Sequence, residues 1–225
     1  MEMIRGIGFA GIMVRMVLAV LCGGIIGLER ETKRRAAGFR THTLICIGAA
    51  LTTLTSQFLV RNGFNTDPAR LGAQVIAGMG FIGAGTIIVT SRRQVKGLTT
   101  AAGLWTSAII GLGIGIGYYE AAIIAVVFVL LAELVLSKME YFIVSTARTM
   151  NVYVEFADPK DLDRLVEIMA EHNMTITDLE YTQPRTADHN HPSAIFSIRF
   201  RKKTAHEQVM TMLAELPGVF SVEEV

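Results

Sequence analysis

Residues 78–85, GMGFIGAG, place glycines at the G-x-G-x-x-G spacing that lets a backbone approach the pyrophosphate of a dinucleotide. That chemistry also requires a strand before the glycines, a helix after them and an acidic residue about twenty positions further on. Here the glycines lie inside an uninterrupted apolar run that ends in IIVT, with no Asp or Glu in the required range. The sequence therefore favours the interior of a membrane helix over a phosphate-binding loop.

Charged residues beside the apolar segments are the second candidates for chemistry, because charges at membrane depth are costly. Glu29 and Arg30 end the first apolar segment, Arg40 precedes the second, and Glu133 lies near the end of the fifth. All four map to one membrane edge, where opposite charges are expected to converge. Two interpretations stay open: an ion-pair cluster that fixes helix ends, or a polar site for an ion, a lipid headgroup or a partner protein.

Other polar residues give weaker signals. Thr99 and Thr100 follow the basic connection 91–96 and are hypothesised to line a cavity with Arg30 and Arg40. The motif His189-x-His191 lies in a polar loop with no third metal ligand nearby, so a solvated loop is favoured over a metal site.

Motifs of catalysis are absent from the sequence: there is no Ser-His-Asp order, C-x-x-C pair, H-E-x-x-H or P-loop. The sequence predicts no catalytic residues, no enzyme activity and no cofactor. Cys22 and Cys46, the two cysteines, are expected to behave as small hydrophobic residues.

The chain has 225 residues, of which 51% are apolar, and this is too apolar for an ordinary soluble domain. Because about 20 apolar residues cross a hydrocarbon core of about 30 Å, five membrane helices are expected before Ala147. Arg15, in the first of them, is expected to extend toward the outer interface. The predicted spans are approximately Gly11 to Leu28, Thr43 to Val60, Leu71 to Val89, Leu98 to Gly117 and Tyr119 to Leu136.

Charge differs between the two parts of the chain. Up to Ala147 there are 13 Lys and Arg against 7 Asp and Glu, and from Arg148 on there are 8 against 13. Most basic residues of the first part lie in the connections 27–42 and 91–96. The positive-inside rule therefore predicts that these connections are cytoplasmic, with the N-terminus outside and the C-terminal region in the cytoplasm.

Glycine spacing predicts how the membrane helices pack. Small residues let helix backbones approach closely, and in lipid such packing must supply the association. The G-x-x-x-G spacing joins Gly23 to Gly27 and Gly111 to Gly115. The predicted helix-packing glycines are Gly23, Gly27, Gly78, Gly80, Gly83, Gly85, Gly111 and Gly115.

Beyond a short joint, the pattern is that of a soluble domain. MNVYVEFA, TITDLEYTQ, AIFSIRFR and VFSVEEV are typical of strands, and DPKDLDRLVEIMAEHNM and AHEQVMTMLAELPG of helices. The order βαββαβ predicts a ferredoxin-like α+β fold. The predicted domains are an α-helical membrane bundle over residues 1–145 and a cytoplasmic domain over residues 149–225.

Four blocks in order, GLERE, AGFRTHTLICIGAAL, AQVIAGMGFIGAGTII and VKGLTTAAGLWTSAIIG, resemble the MgtC/SapB family of bacterial inner-membrane proteins. The C-terminal part resembles the ACT-like domain attached to many members. The resemblance implies five membrane helices with a cytoplasmic C-terminus. With its matched motif residues, the predicted membrane-edge site is Glu29, Arg30, Arg40, Thr41, Gln74, Thr99, Thr100, Trp105 and Glu133.

The resemblance also implies a function. It indicates a non-enzymatic inner-membrane regulator of magnesium or ion homeostasis that contacts other membrane proteins, the F-type ATP synthase among them. The alternative is a transporter or channel for a divalent cation. Expected partners are membrane lipid and further copies of the chain, with no nucleic acid, and Mg²⁺ is expected only as a ligand or signal.

The sequence departs from the family pattern at two places that bear on the expected function. Thr99 and Thr106 stand where virulence-associated members have Asn and Cys. The turn FADPKDL lacks the glycine that is typical of amino-acid-binding ACT domains. These departures disfavour a virulence role and ligand binding by the C-terminal domain.

Overall fold

The structure is a computed structural model that describes residues 8–90, 94–145, 147–182, 191–201 and 204–225, with the backbone alone at residues 140 and 141. Part of the basic connection 91–96 and His189 lie outside the described residues. The chain divides into two compact units. The first holds the residues up to Thr90 together with Val95–Leu136, and the second holds Ser137–Val225.

Helices make up most of the first unit. Of the described helices, four stretches are long and apolar enough to cross a membrane: Phe9–Thr32, Phe39–Arg61, Leu98–Ile116 and Tyr119–Val144. The unit is therefore a multi-pass membrane bundle. Its elements are α1 (Phe9–Thr32), α2 (Phe39–Arg61), α3 (Arg70–Thr86), α4 (Leu98–Ile116) and α5 (Tyr119–Leu131), followed by a π-helical turn (Ala132–Leu136).

The third predicted span is shorter than expected. α3 ends at Thr86 after 17 residues, which is about 26 Å against a hydrocarbon thickness of about 30 Å. Ile88–Val89 and Val95–Lys96 then pair as antiparallel strands β1 and β2. The predicted extension of this helix to Val89 is wrong, because the β-branched residues 87–89 adopt an extended backbone that suits their restricted side chains.

α2 is the central helix of the bundle and contacts both α1 and α4. The backbones approach so closely that a methyl group added at Gly27 would lie 2.6 Å from Phe39 Cα. One added at Gly111 would lie 2.9 Å from Ala49 Cβ. Glycine at these positions thus allows α1 and α4 to pack directly on the backbone of α2. The surrounding core includes Ala19, Cys22, Ile26, Cys46, Ala50, Ile110 and Ile114.

The second unit begins with α6 (Ser137–Val144) and continues as an α+β domain. Its remaining elements are β3 (Thr149–Phe156), α7 (Asp161–Glu171), β4 (Met174–Thr182), β5 (Ser193–Phe200), α8 (His206–Ala214) and β6 (Val219–Glu224).

These elements form one antiparallel sheet with the strand order β4-β5-β3-β6. Alternate residues of β3 and β5 share one core with Leu165 of α7 and Leu213 of α8, so both helices cover the same face. The sheet order is ferredoxin-like, which confirms the predicted α+β fold class. A closer relationship to ACT domains stays a prediction.

Candidate functional site

A buried cluster of charges surrounds Arg30 near the end of α1. The Arg30 side chain is 1% exposed, and its Nη2 forms an ion pair with Glu133 Oε2. Its Nε donates a hydrogen bond to Glu29 Oε2 at 2.6 Å. Lys33 Nζ lies 2.9 Å from Glu29 Oε1 and donates to the backbone carbonyl of Glu133 at 2.6 Å. We call these four residues the Arg30 network, in which two carboxylates face two cations.

The network joins α1 to the segment that follows α5. Glu29 and Lys33 are four residues apart and therefore lie on one face of α1. Glu133 comes from the π-helical turn Ala132–Leu136, and such turns frequently occur at functional sites. Sequence reasoning missed Lys33 because it lies in the charged run ETKRR, although its spacing from Glu29 was a usable signal.

A buried histidine lies at the contact of α2 with α4. His42 is fully buried, and its Nδ1 lies 2.9 Å from the hydroxyl oxygen of Ser107. His42 Nε2 and Arg30 Nη1 are buried and have no hydrogen-bond partner among the described residues. Sequence reasoning did not select His42 or Ser107, because a histidine within an apolar segment gives no sign of which helix it faces.

The other predicted residues of the membrane-edge site lie outside the Arg30 network. Thr100 is buried in α4, whereas Gln74, Thr99 and Trp105 are exposed on their helices. Arg40 and Thr41 line a separate cavity together with Glu31, Arg35, Gly38 and Phe39. The hypothesis that Thr99 and Thr100 line a cavity with Arg30 and Arg40 has no supporting contact in the described residues.

The predicted packing glycines fall into two groups. A methyl group at Gly23 would lie 2.8 Å from Cys46 Cβ, and one at Gly115 would lie 2.7 Å from Ala50 Cα. Gly83 is in ordinary contact with α4, since its methyl group would lie 3.4 Å from Ala101 Cβ. The other predicted glycines of α3 have no described atom within 4 Å of an added methyl group apart from the backbone of their own helix; they are Gly78, Gly80 and Gly85.

A second polar cluster surrounds Arg15. This residue is 1% exposed, so its side chain is enclosed by the bundle and does not reach solvent as the predicted extension to the interface requires. Its Nη1 donates to Gln57 Oε1 and to the Gly115 carbonyl, both at 2.9 Å, and its Nε donates to the Tyr119 hydroxyl at 3.3 Å. These acceptors on α2, α4 and α5 hold the guanidinium inside the bundle, because they satisfy it where lipid would not.

No three His, Cys, Asp or Glu side chains in the described part of the chain are grouped so as to hold a metal ion. His191 stacks on Phe220 with ring centroids 4.4 Å apart. Cys22 and Cys46 are buried free thiols.

Known proteins are similar to part of this chain. YhiD of Escherichia coli strain K12, whose name provisionally describes a magnesium transporter, is 42% identical over 147 residues. That match covers 63% of this chain and 65% of YhiD. The protein MgtC of Salmonella typhimurium strain LT2 is 39% identical over 125 residues, which cover 56% of this chain and 52% of MgtC. The chain thus spans less than two thirds of either relative.

A longer match supports the same relationship. A protein of Haemophilus influenzae is 30% identical over 217 residues, which cover 93% of this chain and 90% of that protein. No solved structure matches the chain. The sequence model of the MgtC family matches residues 16–142, more than half of the chain and most of the membrane unit. The chain belongs to the MgtC family.

Proposed function

We propose that this chain is a non-enzymatic regulator of magnesium or ion homeostasis in the bacterial inner membrane, acting through membrane-protein partners. The magnesium connection rests on family membership and on the relative whose name describes magnesium transport. From the distribution of Lys and Arg, the N-terminus lies outside and the C-terminal domain is cytoplasmic.

The observation that carries the proposal is the pairing of charge in the Arg30 network. Mg²⁺ is usually held by one or two carboxylates while it keeps several waters. Here the carboxylates of Glu29 and Glu133 are both engaged by Arg30, and Glu29 is also engaged by Lys33. A guanidinium between the two carboxylates repels a divalent cation. The network therefore supports a structural role that fixes helix ends, rather than a cation path.

Partner binding is assigned to the open side of α3. Gly78 and Gly85 lie seven residues apart on one face of α3 and leave room for another helix backbone, and Phe81 on the same face is 86% exposed. Small residues are the usual contact surface between membrane helices. We assign this side to further copies of the chain and to other membrane proteins, with the F-type ATP synthase as one candidate. Mg²⁺ then acts as a signal rather than as transported substrate.

The alternative is a transporter or channel for a divalent cation. It is favoured by Arg30 Nη1 and His42 Nε2, which are two of the buried polar atoms that have no hydrogen-bond partner among the described residues. Waters on a conduction path through the bundle would satisfy both atoms. The positive charge of Arg30 argues against this path for a cation.

Magnesium flux into liposomes tests the proposal. The purified protein is reconstituted alone, with a magnesium-sensitive dye inside the vesicles, and a divalent-cation ionophore calibrates the signal. The variants Glu29→Gln and Glu133→Gln change the Arg30 network. Glu31→Gln is the matched control, because Glu31 lies at the same end of α1 but does not belong to the network. We expect no flux above that of protein-free vesicles. Flux that both network variants abolish and the control retains would establish the transporter instead.

A further inference from the structure

A cavity of 420 Å³ lies where the chain passes from α1 to α2. It is lined by Glu31, Arg35, Gly38, Phe39, Arg40 and Thr41. α1 and α2 are both long enough to cross a membrane, so the connection between them lies at the membrane boundary. The cavity is therefore within reach of lipid headgroups.

The lining of this cavity carries a net positive charge, with two arginines against one carboxylate. Arg35 and Arg40 are exposed and form no ion pair with another described residue. Glu31 is the one acidic residue of the lining, and its Oε2 accepts the backbone N–H of Phe39 at 2.9 Å. In the Arg30 network, by contrast, every cation has a carboxylate partner. Two free guanidinium groups around one cavity are suited to a phosphate, which they bind in a bidentate manner.

An apolar strip continues from the cavity along α2. Leu44 and Leu51 follow Arg40 by four and eleven residues, so the three side chains share one helix face. The two leucines are 68% and 55% exposed, and they lie at a depth where the surroundings are hydrocarbon. The strip extends about 16 Å from Arg40, which is long enough to contact much of an acyl chain.

We propose that the cavity binds the phosphodiester headgroup of an anionic membrane lipid, with Arg35 and Arg40 on the phosphate and an acyl chain along Leu44 and Leu51. A free phosphate has the same headgroup chemistry, but it would make no use of the leucine strip. This inference is independent of the proposed function, since either a regulator or a transporter would carry the lipid.

Lipid binding by the purified chain in a neutral detergent tests the proposal. Phosphatidylglycerol and phosphatidylcholine with identical acyl chains are titrated separately, and binding is measured by native mass spectrometry. The variants are Arg35→Gln, Arg40→Gln and the double variant. Arg34→Gln is the matched control, because Arg34 is exposed in the same connection but does not line the cavity. Thermal melting without added lipid checks that each variant is folded.

Preference for phosphatidylglycerol is the expected result. A basic residue near a membrane surface strengthens binding of an anionic lipid about fivefold. Each single variant should therefore lose about fivefold and the double variant about 25-fold, while Arg34→Gln keeps the wild-type affinity.

Three results would overturn the proposal. The first is equal binding of the two lipids by the wild type. The second is an equal loss from Arg34→Gln and Arg40→Gln, which would indicate general surface charge. The third is full competition by glycerophosphate or inorganic phosphate, which would identify a free phosphate as the ligand.

Discussion

The variant Gly111→Ala tests whether the contact of α4 with α2 determines the stability of the bundle. The added methyl group would overlap the carbonyl oxygen of Cys46 and would lie 3.0 Å from its carbonyl carbon. It would also lie 2.9 Å from Ala49 Cβ. Backbone atoms of a packed helix cannot rotate away as a side chain does. We therefore expect α2 and α4 to separate locally.

The size of the effect follows from two opposing terms. Overpacking of a core costs about 1–3 kcal/mol, and a rigid backbone obstacle favours the upper end. Alanine in place of glycine inside a helix contributes about 1 kcal/mol in the other direction. The net loss is about 2 kcal/mol, which lowers the melting temperature of a protein of this size by about 4–8 °C.

Gly78→Ala is the matched control, because it makes the same chemical change in a helix where nothing lies within 4 Å of the added methyl group. The control should be neutral or stabilised by up to about 1 kcal/mol. Melting in detergent is followed with a thiol-reactive fluorophore. Cys22 and Cys46 are 7% and 0% exposed, so they react only when the bundle opens.

A Gly111→Ala variant that melts at the wild-type temperature or above would refute the close packing of α4 on α2. A destabilised Gly78→Ala variant would refute the open environment of α3 and would indicate that a second chain covers it. The two variants therefore separate packing within one chain from packing between chains.

Two further stability predictions concern the polar clusters, and both are measured by the same melting assay. Arg30→Gln leaves Glu29 and Glu133 facing each other and should lower the free energy of unfolding by about 3 kcal/mol. The Lys33 side chain is 30% exposed, so Lys33→Gln should lower it by about 1 kcal/mol or less. Equal losses of stability in the two variants would contradict the conclusion that Arg30 holds the network together. Arg15→Met keeps a flexible, unbranched stem but leaves three acceptors without their donor, and should cost about 2 kcal/mol. A neutral Arg15→Met variant would show that these hydrogen bonds do not stabilise the bundle.

Depth along a membrane helix can be read from a sequence, because each residue rises by a fixed distance. This is why Glu29, Arg30, Arg40 and Glu133 could be assigned to one membrane edge. Rotation about the helix axis is not fixed in this way, since it depends on which helices are neighbours. The structure brings three of these residues into one network and places Arg40 at a different cavity.

Arg15 shows a second limit of what a sequence alone can predict. The expectation that it extends to the interface treats its helix as if lipid surrounded it on all sides. The acceptors that hold it are a backbone carbonyl of Gly115 and the side chains of Gln57 and Tyr119, which lie 42 to 104 residues away in sequence. Such partners become visible only when the helices are assembled, because hydropathy averages each segment by itself.

The two arginines of α1 together explain how α5 is held. Arg15 bonds to Tyr119 at the start of α5, and Arg30 pairs with Glu133 just beyond its end. The spacing is 15 residues on α1 and 14 on the partner segment, so the two helices run parallel in matched register. α5 itself buries only Ala122 and Val126 among its residues. Apolar contacts gain little in lipid, and we therefore infer that polar ties at both ends, rather than packing along its length, hold α5 against α1.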